Sequence, residues 1–326
     1  MRDHGGNLDR AMATFGGTAA NWIDLSTGIN ARPYPVPDLP PEIWQTLPNA
    51  TSIDRLTAAA TQAYRTKATG VPLAGAQAAI QLVPHLLPVG RAAVLGPTYN
   101  EHAAALRASG WEVAEVETLE ALAGHDLAIV VNPNNPSGKT HDTEELLRLA
   151  ERVDLLVIDE SFADPTPEGD AVQHLDTTTT NILVQRSFGK FYGLAGIRLG
   201  FAVTGAELAR RVQQLAGPWA VSGPAIEVGV AALKDTTWQA DTRARLAAEA
   251  VRLDTLAFAA GWDLVGGTSL FRTYATPDAS HAQRHLAEHR IWSRRFPYSD
   301  TWLRLGLPGQ ASAWDRLGRA LACAGE

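Results

Sequence analysis

The stretch Arg186-Ser187-Phe188-Gly189-Lys190-Phe191-Tyr192-Gly193-Leu194-Ala195-Gly196-Ile197-Arg198-Leu199-Gly200 places one lysine in a serine- and glycine-rich turn, with an arginine shortly after it. An amine is what a carbonyl cofactor needs to be held as a Schiff base. Hydroxyl and guanidinium donors are what a phosphate tail needs. The turn offers both. A loop lysine is more often simply solvated, so this stretch alone leaves the two readings level.

Two upstream segments break the tie. Val130-Val131-Asn132-Pro133-Asn134-Asn135-Pro136-Ser137-Gly138 is an apolar strand end running into a Pro/Asn/Gly turn. Leu155-Leu156-Val157-Ile158-Asp159-Glu160-Ser161-Phe162 is an apolar run ending in a carboxylate. Ligands of parallel α/β sheets collect at the carboxyl ends of strands, so Asn135, Asp159 and Lys190 are expected to converge there. Each has a partner on pyridoxal 5'-phosphate. Asp159 would keep the ring nitrogen protonated and the ring an electron sink, Asn135 would donate to the 3' oxygen, and Lys190 would bind the aldehyde. Taken singly, Asp159 reads as a cap or strand-end turn residue and Asn135 as a turn former. Their common order and spacing set those readings aside.

With these motifs in hand, the chain resembles a known family. Asn135-Pro136-Ser137-Gly138, then Asp159-Glu160-Ser161-Phe162, then Ser187-Phe188-Gly189-Lys190 with Gly196-Ile197-Arg198-Leu199-Gly200, look like the class I/II aminotransferases among fold-type I pyridoxal phosphate enzymes. Within that family, His4-Gly5-Gly6-Asn7, Asp24-Leu25-Ser26-Thr27-Gly28-Ile29-Asn30 and Gly217-Pro218-Trp219-Ala220-Val221-Ser222 most resemble the threonine-phosphate decarboxylases of cobalamin biosynthesis. The likeness spans nearly the whole chain. Its cofactor motifs are highly specific; its opening is moderately specific for the substrate.

The resemblance implies further roles. Tyr99, in Gly96-Pro97-Thr98-Tyr99, matches the aromatic that stacks on the cofactor ring. Arg304, in Trp302-Leu303-Arg304-Leu305, matches the arginine that forks onto the substrate carboxylate. Arg294 aligns with an arginine that grips substrate phosphate, and Arg295 beside it could do the same. His4 belongs to an arm that folds over the substrate, where Gly28 and Asn135 are also expected. Relatives are homodimers, so a homodimer is expected. Two departures stand out: Phe162 replaces the tyrosine usual in transaminating relatives, and Leu47-Pro48 replaces a Tyr-Pro whose tyrosine reaches across the dimer.

Composition sets the frame. A chain of 326 residues accommodates a large and a smaller domain. The net charge of −7 argues against a nucleic-acid partner, while one arginine cluster suffices for an anionic substrate. Cys323 is the only cysteine, so no intrachain disulfide can form and a reducing compartment fits. There is no basic leader followed by an apolar run, and no uncharged apolar stretch of roughly 18 residues. A cytoplasmic protein without membrane partner or metal is expected.

The expected organisation is an extended N-terminal arm over 1–41, a large cofactor-binding domain over 42–222, and a long connecting helix with a small α/β domain over 223–326. In the large domain short apolar runs (Ala92–Leu95, Glu112–Val116, Leu127–Val131, Leu155–Asp159, Ile182–Arg186, Leu199–Val203) alternate with helical patterns such as Thr143–Arg152, capped by Thr143. That alternation predicts an α/β fold, a mostly parallel mixed sheet covered on both faces. After it, Ala225–Ala260 reads as one long helix, Ala279–His289 as a helix, and Ser269–Tyr274 and Trp302–Leu305 as strands. Gly75-Ala76-Gln77 opens a helix whose free N–H groups and positive dipole end form an anion site. With Ser187 and Arg198, it is expected to hold the cofactor phosphate.

The predicted function is decarboxylation of O-phospho-L-threonine to (R)-1-amino-2-propanol phosphate. The alternative is a pyridoxal phosphate-dependent aminotransferase such as histidinol-phosphate aminotransferase.

Overall fold

The computed structural model describes residues 4–323. The strands, in chain order, are β1 (Ile23–Asp24), β2 (Thr69–Leu73), β3 (Arg91–Leu95), β4 (Glu112–Val116), β5 (Leu127–Val131), β6 (Leu155–Asp159) and β7 (Ile182–Ser187). They continue with β8 (Gly200–Thr204), β9 (Asp263–Thr268), β10 (Phe271–Ala275), β11 (Ile291–Trp292), β12 (Arg294–Phe296) and β13 (Ser299–Gly306). The chain divides into two compact units.

The larger unit comprises Tyr34–Asn135 and Lys139–Gln239. Its sheet has the order β2-β8-β7-β6-β5-β3-β4, with only β8 running against the other strands. Strands β5 to β8 are buried along their whole length, which is why they read as unbroken apolar runs instead of alternating ones. The edges differ. β4 carries exposed Glu112 and Glu115, charges that blunt an open edge. β2 tolerates Pro72 because its outer side needs no ladder donor. Pro72 kept this segment from being recognised as more than an extended piece.

The two faces of this sheet have different interiors. On one, Leu155, Val157, Leu183, Leu127, Ile129 and Val94 join an apolar core. The opposite parity of β7 brings Arg186 to the other face. There the 1 % exposed guanidinium contacts Glu160 at 2.9 Å, Asp170 at 2.8 Å and Asp164 at 2.5 Å, and lies 4.5 Å from the Tyr64 ring centroid.

The smaller unit comprises the chain to Pro33, Pro136–Gly138 and Ala240 onward. An antiparallel sheet β12-β13-β10-β9 and a parallel pair β1-β11 form its frame. A cluster of Ala11, Trp22, Ala287 and Trp292, with Phe15 against it, packs the N-terminal segment onto the rest.

Several local expectations need correction. The N-terminal arm is not all extended: Leu8–Phe15 is a helix, started by Asn7, whose Oδ1 accepts the Arg10 N–H. The helix Thr143–Ala150 is capped by Asp142, not Thr143; Asp142 Oδ1 accepts from Glu144 N at 2.8 Å. The long helix is two, Gly223–Lys234 and Thr236–Ala259, separated at Asp235, which accepts the Trp238 N–H as a new cap. Accordingly Gly223–Gln239 groups with the larger unit, whereas the expected division fell at residue 223.

Candidate active site

A pocket of roughly 210 Å³ opens at the carboxyl ends of β5, β6 and β7 in the larger unit. Asn135, Asp159, Ser187, Lys190, Tyr99 and Arg198 all line it, so the residues expected to meet do meet. Gly75, Ala76 and Gln77 line it as well.

Each side chain is placed by its element. Asp159 ends β6 and is 3 % exposed; its Oδ1 accepts the Ser161 N–H at 2.9 Å. Its Oδ2 lies 2.8 Å from His102 Nε2. A carboxylate only accepts, so Nε2 carries the proton of this bond. Burial alone would raise the Asp159 pKa. The His102 and Ser161 hydrogen bonds and the imidazole's charge outweigh burial, and the pKa is lowered. The group is therefore held as an anion in a dry place, ready for a protonated ring nitrogen.

His102 was not singled out in the sequence. It stands in the first turn of the helix Glu101–Ala108, three residues after Tyr99, with ring centroids 6.2 Å apart. That one-turn spacing from a stacking aromatic was the signal available.

The turn bearing Asn135 is tied to the turn bearing Tyr99. Thr98 Oγ1 donates to Asn134 Oδ1 at 2.6 Å, and Asn134 Nδ2 donates to the Pro97 carbonyl at 3.0 Å. Tyr99 and Gln77 approach at 3.4 Å, and Gln77 Nε2 donates to Glu101. Lys190 sits in the short helix Phe188–Phe191 after β7, its Nζ 5.4 Å from the Phe162 ring centroid.

At the pocket's other end, Gly75 starts the helix Ala76–Leu82 with φ +83°. A Cβ there would lie 2.6 Å from an Arg198 nitrogen, so glycine is required for the guanidinium to rest against the helix start. Arg198 itself has φ 56°, a left-handed conformation that is uncommon for a side-chain-bearing residue. Helix N–H groups, a guanidinium and the Ser187 hydroxyl make a cradle for a phosphate. Anion cradle, lysine amine and buried carboxylate form the donor set that pyridoxal 5'-phosphate requires, and the group fits.

Of the substrate residues expected from the sequence, Asn135 lines the larger unit's pocket, whereas His4, Gly28, Arg294 and Arg304 belong to the smaller unit. Arg294 and Arg304 are register partners across β12 and β13, so both project from one face. Arg304 is 6 % exposed, donates through Nη2 to the Ser26 carbonyl at 2.6 Å and lies 5.1 Å from the Phe271 ring centroid. Arg295 pairs instead with Leu303, one step out of phase with Arg294. Like charges directly across a ladder repel. An anion is what such a pair calls for.

The arm reaches the same unit's pocket, which His4, Arg294 and Arg295 line. The Gly6 N–H donates to Ser26 Oγ at 2.7 Å, and a Cβ on Gly5 would fall 2.3 Å from the Ser26 carbonyl. Gly28 is buried beyond β1 and lines neither pocket.

Residues 44–320 match the family model described as aminotransferase class I and II. The chain is 42 % identical to the threonine-phosphate decarboxylase of a Sinorhizobium species, with 98 % of this chain and 97 % of that one covered. It is 41 % identical to the Pseudomonas aeruginosa protein of the same name, over 98 % and 97 %. Among solved structures, histidinol-phosphate aminotransferase from Sinorhizobium meliloti in complex with pyridoxal-5'-phosphate superposes with a TM-score of 0.79 at 18 % identity, covering 97 % of this chain and 93 % of that one.

Proposed function

Because the chain belongs to the class I and II aminotransferase family, we propose that it releases carbon dioxide from O-phospho-L-threonine and yields (R)-1-amino-2-propanol phosphate, with pyridoxal 5'-phosphate as its cofactor. The observation that carries this reading is the paired arginines on one face of the smaller unit's sheet. O-Phosphothreonine has two anionic ends, a carboxylate and a phosphate, whereas histidinol phosphate has only the phosphate. The near full-length likeness to two threonine-phosphate decarboxylases supports the same choice.

Pyridoxal 5'-phosphate, when bound, accepts the electrons of whichever substrate bond stands perpendicular to its ring. The chain's residues do the rest. Asp159, kept anionic by His102 and Ser161, would hold a proton at the ring nitrogen. Ser187, Arg198 and the Gly75–Gln77 helix start would grip the phosphate tail, and Tyr99 would stack on the ring. Asn135 would donate to the ring's 3' oxygen. Phe162 has no hydroxyl to add there, unlike the tyrosine of transaminating relatives. Arg304 takes the substrate carboxylate and Arg294 its phosphate, with His4 beside it. The Cα–carboxylate bond breaks, carbon dioxide leaves, and Lys190 Nζ delivers one proton to Cα.

Exposed Trp44 and Leu47 fit a surface that a second copy covers, which supports a homodimer. Among the described residues no helix is long and apolar enough to cross a membrane, in keeping with the cytoplasmic setting we infer. The test is carbon dioxide release from O-phosphothreonine with 2-oxoglutarate present. Transfer of the amine to 2-oxoglutarate without carbon dioxide would reverse the choice.

A further inference from the structure

The smaller unit's pocket holds two groups that the reading above leaves unused, Ser293 and Arg10. Ser293 sits between β11 and β12, lines the pocket and is 1 % exposed. Its Oγ has no hydrogen-bond partner among the described residues. The local backbone does not need it, because Gln283 Nε2 already donates to the Ser293 carbonyl at 2.8 Å. A buried hydroxyl left unpaired costs stability that a methyl group would not, so its retention calls for an explanation. A bound ligand supplies one.

The surroundings say which ligand chemistry. His4, Arg10, Arg294 and Arg295 line the pocket together with Ser293, and its described lining contains no carboxylate. Arg10 comes from the helix Leu8–Phe15, whose start is fixed by Asn7 and whose preceding glycines are pinned on Ser26. A tetrahedral dianion, with three oxygens to share among a hydroxyl and several guanidiniums, matches this set.

We propose that Ser293 donates its hydroxyl proton to the substrate's phosphate monoester and that Arg10 pairs with the same group. The strand arginines are then not its only holders, and the N-terminal helix becomes part of the device that selects a phosphorylated side chain. The inference rests on the reading that the substrate is O-phosphothreonine.

The experiment uses cofactor-loaded protein, so that the cofactor's own phosphate site is filled. Ethyl phosphate, which carries no amine, is titrated by calorimetry into wild type, Ser293→Ala and Arg10→Gln. Melting temperatures without ligand and steady-state kinetics are recorded alongside. Ser293→Ala should melt at or above the wild-type temperature yet bind ethyl phosphate about tenfold or more weakly, the loss expected for a hydrogen bond to a charged group. KM for O-phosphothreonine should rise by a similar factor, with kcat within about threefold. Arg10→Gln should move affinity and KM in the same direction. It carries the test alone if Ser293→Ala does not fold.

Unchanged ethyl phosphate affinity in both variants overturns the inference, as does wild-type protein that does not bind the ester. A fall in melting temperature with affinity intact makes Ser293 a structural group and also overturns it. Should ethyl phosphate binding depend on Ser293 while wild type releases no carbon dioxide, the decarboxylase reading fails and the phosphate site stands. Carbon dioxide release with variant affinities unchanged has the opposite meaning.

Discussion

Asp159 and Glu160 are consecutive carboxylates at the end of β6, and they face opposite sides of the same sheet into two different kinds of buried charge. Asp159 meets one imidazole and one backbone N–H, and its pKa is lowered. Glu160 meets the Arg186 guanidinium and the Ala171 N–H, but it shares that cation with Asp164 and Asp170. Burial is the largest influence on Glu160, and Asp170 adds like-charge repulsion; against the pull of Arg186 its pKa is pushed up to about 7. Burial alone therefore does not decide ionisation. The sharing of partners does: Asp159 has one hydrogen-bonding imidazole to itself, whereas three carboxylates share one guanidinium on the other face. The pocket face keeps a charge for chemistry, and the other face uses charges to hold the sheet to the Ser161–Gln173 segment.

The largest effect should come from breaking the second group at its centre. Arg186→Leu leaves three buried carboxylates without their guanidinium, and removing one partner of a buried ion pair costs about 3–5 kcal/mol. Urea denaturation of the variant should show that loss. A loss below about 1 kcal/mol would mean that the carboxylates simply take up protons and that the group is no keystone.

The next effect separates the two carboxylates by function. Asp159→Asn removes the anion opposite the ring nitrogen, and kcat for carbon dioxide release should fall about 10²–10³-fold, as for other lost preorganised charges at reacting centres. Glu160→Gln, one residue away but on the other face, should leave kcat within about threefold. Equal losses in the two variants would erase the distinction between the faces.

Much of this was legible in the sequence, and the rest was hidden for identifiable reasons. Strands β5 to β8 announced themselves as apolar runs because both of their faces are buried. Asn135, Asp159 and Lys190 could be grouped because strand ends in parallel sheets converge. Arg304 was conspicuous as a charge inside a strand pattern. Arg186 is the same kind of anomaly, yet it adjoins the glycine-rich turn and was read with that turn; only the parity of β7 shows that it points away from the pocket. His102 offered only its one-turn spacing from Tyr99 and Ser293 no local signal at all, because their meaning comes from partners distant in the chain. The helix Leu8–Phe15 was masked by the Gly, Pro and Asn around it, and its Asn7 cap was read as part of a motif.

The smallest expected effect is a pH dependence that belongs to one face only. Glu160 has an ordinary carboxylate pKa of 4.5 when unfolded and one of about 7 in the folded protein. Between those values the folded state holds more protons than the unfolded one, so stability falls as pH rises through that window. Asp170, raised chiefly by burial, acts in the same sense. Asp159 acts oppositely: with its folded pKa lowered, its contribution is complete above pH 3.8 and is lost only as pH falls through the folded value. Glu160→Gln cannot titrate, so the difference in melting temperature between wild type and variant should shift in the variant's favour by about 2–4 °C from pH 5 to pH 7.5, the range for a change of about 2 kcal/mol in a chain of this size at an unfolding entropy of roughly 2.1 cal/mol/K per residue. Thermal melts of both proteins across that range measure it, and taking the difference cancels groups common to both, such as His141. A difference constant with pH would show that Glu160 is ionised throughout, and that three carboxylates around one guanidinium are electrostatically no worse off than the single carboxylate beside His102.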